Sequence, residues 1–335
     1  MKKFSPVLLS FFIFMCFSCA QEKDIRSFEA MNTFMVLKSY GRKAVSANIL
    51  AQQRIYELED CISVTKKESD IFKVNNANGA EIVLQEDAFC PLQFALNMAG
   101  ESEGLFNPLL YPVIREWGFT TGVYKVPESS VVKALMQNTD YTAVVLDKKK
   151  KSVKIRPDMM IDLGAVGKGY AGDCAIQVLK ANGIKSAILD LGGNVQTIGT
   201  KPDGSLWSVG IKNPWGEGSV AGLRISDKAV ITSGGYERFF DQDGKRYIHI
   251  FDGKTGYPVE NEISSVTIVC KSGLLGDSLS TTLFVMGVEK AIDFWHNRKD
   301  FDMLILTNDQ SLFYTKPLET SLSILYQFSD IHVIE

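Results

Sequence analysis

The densest run of residues able to do chemistry is Asp162-Leu163-Gly164-Ala165-Val166-Gly167-Lys168-Gly169-Tyr170-Ala171-Gly172-Asp173. An apolar strand ending near Ile161 runs into four glycines and a lysine, and a helix is expected from Tyr170 to Ala181, stopped at Asn182-Gly183. Glycines let backbone amides approach a ligand and a helix N-terminus adds partial positive charge, so a phosphate suits such a loop, with Lys168 supplying a full charge. A plain strand-to-helix turn with an exposed lysine explains the run equally well. Gly167-x-Gly169-x-x-Gly172, with Asp190 roughly 20 residues on, also spells a dinucleotide fingerprint and makes a nicotinamide-dependent oxidoreductase an alternative. That motif should open alternating strands and helices, whereas the chain after Asp190 turns mainly to strands. Gly169, not Ser or Thr, follows Lys168, so the run is no Walker loop.

A second constellation is Gly276-Asp277-Ser278-Leu279-Ser280-Thr281. On a helix, Asp277 and Thr281 share one face and present a carboxylate and a hydroxyl together. Such oxygens suit a hard cation like Mg²⁺, although a helix cap at Asp277 and back-bonding by Thr281 remain open. Two strands end in glycine pairs, at Gly192-Gly193 and Gly234-Gly235, for which hairpin geometry is a sufficient reason. His249 lies on an apolar strand before Gly253-Lys254-Thr255-Gly256-Tyr257-Pro258, as a hydrogen-bonded core histidine or a proton acceptor. Leu105-Phe106-Asn107-Pro108 and Trp117-Gly118-Phe119 read as an aromatic core cluster or as a wall for a planar ring.

The elements that must position these residues follow from periodicity. One strand is expected within 28–40, and helices over Val45–Cys61 (apolar at Ile49, Ile55 and Leu58), Asp87–Glu101, Ser129–Asn138 and about 276–294. Two strands flank the lysine-rich turn Asp147–Lys151, a solvated hairpin tip. No linker, repeat or charge block marks a border in residues 28–335, so one mixed α+β unit with a strand-rich C-terminal half is expected.

Composition sets the outer limits. The 335 residues are 45% hydrophobic and 22% charged, enough apolar material for a filled core. A net charge of −3 supplies no cationic field for nucleic acid. Three scattered histidines and six cysteines with no paired CxxC motifs, the one such spacing being Cys16-x-x-Cys19 in the leader, leave zinc without ligands, so a metal here would be held by oxygen. Lys2 and Lys3 precede an apolar run, Phe4–Phe17, too short to span a bilayer. Residues 1–18 therefore read as a signal peptide. Ser18-Cys19 resembles a bacterial lipoprotein cleavage site, with Cys19 lipidated and 19–27 as tether. An ordinary secretory signal is the alternative. Cys61, Cys90, Cys174 and Cys270 show no disulfide framework.

Taken in order, these segments resemble the ApbE family, the FAD:protein FMN transferases. The matching pieces are Met31-Asn32-Thr33, Ser69-Asp70-Ile71, Phe106-Asn107-Pro108, Trp117-Gly118-Phe119, Ile161–Asp173, Leu191-Gly192-Gly193, Thr232-Ser233-Gly234, His249, Thr255–Pro258 and Asp277–Thr281. The resemblance implies a mixed α+β enzyme that, with Mg²⁺, moves the FMN half of FAD to a Thr or Ser hydroxyl of an exported or membrane redox protein and releases AMP. It implies metal binding by the Ala165 carbonyl, Asp277 and Thr281. It places Lys168, Asp162, Gly193, Met31, Thr65, Leu105, Phe106, Asn107 and Ile250 against FAD, and His249 near the pyrophosphate. The leader ending at Ser18-Cys19 points to a lipoprotein anchored on the bacterial inner membrane and facing the periplasm. Two positions depart from the family pattern: Asn32 stands where glycine is frequent, and Thr65 aligns with a tyrosine that stacks on the flavin. A Mg²⁺-dependent FAD pyrophosphatase and a non-catalytic flavin-binding lipoprotein are the neighbouring readings.

Overall fold

In the computed structural model, residues 22–335 are described; the expected signal peptide and Cys19 lie outside them. A nine-stranded sheet runs in the order Lys23–Ala30, Thr33–Tyr40, Ser186–Leu191, Asn194–Ile198, Ala229–Gly234, Ile263–Cys270, Asp302–Thr307, Leu312–Thr315 and Ile331–Ile334. Every neighbouring pair is antiparallel except the last. Helices Ala44–Ile62, Gly164–Ala181 and Gly273–Met286 pack on one face. The other face is covered by the Trp207–Lys212 and Ser219–Ile225 strands, whose Trp207, Val209, Ile211 and Leu223 pack on Val230, Val269 and Leu304. Cover on both sides explains why Ile263–Cys270 is buried at all but one position. This is the expected mixed α+β architecture with a strand-rich C-terminal half.

Several local expectations change. The single strand within 28–40 is a hairpin with Met31 and Asn32 at its turn, both at positive φ (50° and 58°). Asn is among the few residues with a side chain that tolerate this region, so Asn32 keeps the turn that glycine would make. No strand forms at 158–163, and the helix starts at Gly164, enclosing the glycines that were expected in a loop. The helix expected over 276–294 is two, Gly273–Met286 and Val288–Asn297, separated at Gly287. In Ala44–Ile62 the buried stripe uses Ala47, Ala51, Ile55 and Leu58, while Ile49 is exposed. The lysine turn is a solvated tip between Val145–Asp147 and Ser152–Lys154, its amides at Lys149 and Lys150 bonded to Asp147. All four described cysteines are free thiols.

Candidate active site

A cleft of about 630 Å³ opens at the end of the large sheet where two hairpin turns lie side by side. Those turns are Met31-Asn32 and Gly192-Gly193, the latter with both residues at positive φ, as a two-residue loop between Ser186–Leu191 and Asn194–Ile198 requires. A side chain at Gly192 would overlap Thr33. Leu105, Phe106, Asn107, Phe119, Ile250 and Phe251 form an apolar wall. The cleft is also lined by Asp162, just before the Gly164–Ala181 helix, by Gly164, Ala165 and Lys168 from the first two turns of that helix, and by Asp277 and Thr281 from the Gly273–Met286 helix. Volume and lining suit a nucleotide-sized ligand with an apolar ring and a charged middle.

The helical glycines explain how Asp277 reaches this place. A Cβ at Gly169 would overlap the Gly273 carbonyl, so the two helices approach closely there because the side chain is missing, and one at Gly172 would overlap Gln196 of the Asn194–Ile198 strand beneath them. Asp173 then caps the second helix, accepting from the Gly273 and Leu274 amides (2.6 and 3.0 Å) and the Ser272 hydroxyl (2.8 Å). Across the contact, the Gly169 amide donates to Asp277 Oδ2 at 2.8 Å, and Gln196 Nε2 donates to the Gly169 carbonyl at 3.1 Å. The regular helical acceptor for that amide is the Ala165 carbonyl, so Asp277 competes for its donor and loosens the carbonyl's tie. The carboxyl of Asp277 is buried, and burial pushes its pKa up against the opposing pull of Lys168. Thr281 Oγ1 lies 3.3 Å from Ser233 Oγ.

Two cations share the cleft with these carboxylates. Among the described residues, Lys168 and Arg238 make no ion pair. Arg238 is instead anchored through one guanidinium nitrogen to the Phe119 carbonyl at 2.6 Å. Enclosure of the His249 ring lowers its pKa to about 4, with Arg238 and Lys168 adding to the effect. The imidazole is therefore neutral at pH 7. Its Nδ1 is 3.1 Å from the Arg238 carbonyl, which can only accept, so Nδ1 carries the hydrogen and Nε2 keeps a lone pair. Asp162 accepts from the Gly164 amide at 2.8 Å, and burial raises its carboxyl pKa despite that bond and Arg238.

Every residue expected at the site lines this cleft except Thr65. Thr65 is exposed on the turn after the first long helix, its hydroxyl 3.1 Å from Ser63 Oγ, and takes no part in the cleft. Its place there came from alignment alone, and the turn's own hydrogen bonds direct it elsewhere. Asn107 lines the cleft, but its side-chain amide is spent on the Thr139 carbonyl (2.8 Å) and the Leu109 amide (3.0 Å), so it shapes the wall. Trp117 is core, its Nε1 bonded to the Gly256 carbonyl at 3.2 Å, whereas Phe119 reaches the cleft. His249 follows its strand, Lys245–Ile248, at the cleft rim. Sequence reasoning missed Arg238; the signal that could have found it is the Asp243-Gly244 turn, which pairs Phe239–Gln242 with Lys245–Ile248 and so sets Arg238 opposite His249. Ser233 lay within a quoted match but was given no role.

For the nicotinamide alternative the required context is absent: Ser186–Leu191 is antiparallel to both neighbours, and the fingerprint glycines are inside a helix. A buried carboxylate, two cations and a neutral imidazole around one apolar-walled cleft on an antiparallel α+β scaffold define an enzyme site for a phosphorylated ligand. The chain belongs to the ApbE family, whose sequence profile matches residues 31–305. It is similar to an FAD:protein FMN transferase of Klebsiella pneumoniae (strain 342), 32% identical over 308 residues, covering 90% of this chain and 95% of that protein. A protein of the same name from Treponema pallidum (strain Nichols) is 30% identical over 321 residues, covering 88% of each chain. The ApbE protein of Thermotoga maritima superposes with a TM-score of 0.84 at 28% identity over 90% of this chain and 99% of that one. The flavin transferase ApbE from Vibrio cholerae, at 23% identity and a TM-score of 0.82, shares the fold over 90% of this chain and 99% of its own.

Proposed function

We propose that this enzyme transfers FMN from FAD to a Thr or Ser hydroxyl of an exported or membrane redox protein, releasing AMP, and does so as a lipoprotein anchored through Cys19 at the periplasmic face of the inner membrane. The names of the relatives support flavin transfer. The observation that carries the chemistry is the neutral His249, with its free Nε2, beside Lys168 and Arg238 in the cleft that also holds Asp277.

The oxygen donors fit Mg²⁺. Asp277 offers a buried carboxylate with one oxygen engaged by an amide, Thr281 a hydroxyl, and Ala165 a carbonyl whose helical donor is shared. Bound there, the ion would neutralise charge on the pyrophosphate oxygens. The protein's own groups do the rest. Lys168 and Arg238 hold and polarise the pyrophosphate. Leu105, Phe106, Ile250 and Met31 exclude water around the flavin half. The acceptor hydroxyl oxygen bonds to the FMN phosphorus as the bond from that phosphorus to the bridging oxygen breaks. AMP leaves with the bridging oxygen, and the hydroxyl proton passes to His249 Nε2.

The test is incubation of the protein with FAD, Mg²⁺ and the membrane fraction of the source cell, followed by denaturing electrophoresis and chromatography of the nucleotides. A flavin-fluorescent protein band with matching AMP is expected. AMP with only free FMN would make the enzyme a pyrophosphatase, and intact FAD would reduce it to a flavin-binding protein.

A further inference from the structure

The hairpin that begins the described chain has two unlike ends. One, Met31-Asn32, lines the cleft. The other carries Lys23 at its start and the Tyr40-Gly41-Arg42-Lys43 segment, joined by the Gly41 amide donating to the Glu22 carbonyl at 2.7 Å. Lys185 adjoins this end because Ser186 pairs with Tyr40. Lys23, Arg42, Lys43 and Lys185 are exposed and make no ion pair among the described residues. On the helix that follows, Val45 and Ile49 are 55% and 45% exposed on adjacent turns. Asp24 does not cancel these charges, since its carboxylate turns onto Asn48 at 2.9 Å; Glu22 offsets one of them.

We propose that this end is a docking surface for an anionic phospholipid bilayer, with the cations on the headgroups and Val45 and Ile49 in the interface. The inference rests on the proposed lipid at Cys19. Only four peptide steps separate Cys19 from Lys23, a reach of at most about 14 Å, so a lipid there holds this end, and no other, against the membrane. At that distance charges are within or near one Debye length of the headgroups and are felt. The eight-residue strand Lys23–Ala30 then sets the cleft about 24 Å from the bilayer, opening on the far side toward an acceptor's protruding hydroxyl.

The surface is tested apart from the lipid by using the chain from residue 19 with Cys19→Ser, which keeps every described residue. Co-sedimentation is measured with vesicles of phosphatidylglycerol mixed with phosphatidylcholine and with phosphatidylcholine alone. Binding to the anionic vesicles only, abolished by high salt and weakened about 100-fold by Lys23→Gln/Arg42→Gln/Lys43→Gln, is the expected result. AMP release from FAD in solution should be unchanged in that variant, which shows that it folds. Equal binding to both vesicle types, no binding, or binding that survives the triple substitution would overturn the surface. Mass spectrometry of the mature N-terminus decides the lipid separately.

Discussion

Because the Arg238 carbonyl orients His249 through Nδ1, orientation and basicity can be separated by substitution. His249→Asn keeps a donor near the Nδ1 position and removes the Nε2 lone pair. FAD affinity should survive while AMP release falls about 10²- to 10⁴-fold, read by equilibrium binding and turnover on one preparation. A fully active His249→Asn enzyme would remove the histidine from the reaction. With the imidazole held down at about 4, the acid limb of kcat/KM for the wild type should lie well below pH 6.5, where an ordinary histidine would put it. Asp277→Asn keeps an acceptor for the Gly169 amide but loses the charge. Turnover at saturating FAD should be abolished, and no Mg²⁺ concentration should restore it. Without metal its melting temperature should be no lower than wild type, because burial disfavours the carboxylate more than Lys168 and the Gly169 amide favour it, and the neutral amide escapes that cost.

The contact between the Gly164–Ala181 and Gly273–Met286 helices sets two opposed effects against each other at Gly169. Helix propensity alone gains about 1 kcal/mol on Gly→Ala, but the new methyl would overlap the Gly273 backbone carbonyl, which cannot rotate away. The clash wins, and Gly169→Ala should lower stability by about 1–3 kcal/mol in denaturant melts. It should also raise the Mg²⁺ concentration needed for AMP release, because forcing the helices apart takes Asp277 off the Gly169 amide. A more stable Gly169→Ala protein with unaltered Mg²⁺ demand would show that the close contact is not what places Asp277. At the cleft turn, Asn32→Gly should be nearly silent. Asn32→Val should destabilise by roughly 1–2 kcal/mol because a β-branched side chain resists positive φ.

Across the whole molecule, buried carboxyls and the enclosed His249 respond to acid in opposite senses. Asp162, Asp173 and Asp277 have pKa values raised by burial, so the folded state binds protons more readily and gains relative stability as pH falls toward those values. His249 has a lowered pKa. Below 6.5 the unfolded chain takes up a proton that the folded ring refuses, so its stability is lost as pH falls from 6.5 toward about 4. Comparing the melting temperature of wild type and His249→Asn from pH 7.5 to 5 isolates the histidine. The variant should gain on the wild type as the pH drops, and a constant difference would mean that the imidazole is ordinarily protonated.

What the sequence determined by itself was residue chemistry and local period. The long helices follow from apolar spacing, the strand-rich second half from its short runs, and the Gly192-Gly193 turn from the residue pair alone. Asp277 and Thr281 share a helix face because they are four apart. Tertiary structure decided why the glycines after Ile161 are there. Local rules read Gly167, Gly169 and Gly172 as a loop that approaches a ligand. The demand that two helices pack closely turned them into a helix whose missing side chains admit Gln196 and the Gly273 backbone. Antiparallel pairing of Lys23–Ala30 with Thr33–Tyr40 split the 28–40 strand, whose turn residues Met31 and Asn32 carry no glycine to announce it. The Ser63 hydroxyl keeps Thr65 on an exposed turn. The Asp243-Gly244 turn pairs Arg238 with His249 locally, but only the tertiary fold sets that pair in one cleft with Lys168 and Asp277, because contacts between segments distant in sequence leave no period or motif in the chain.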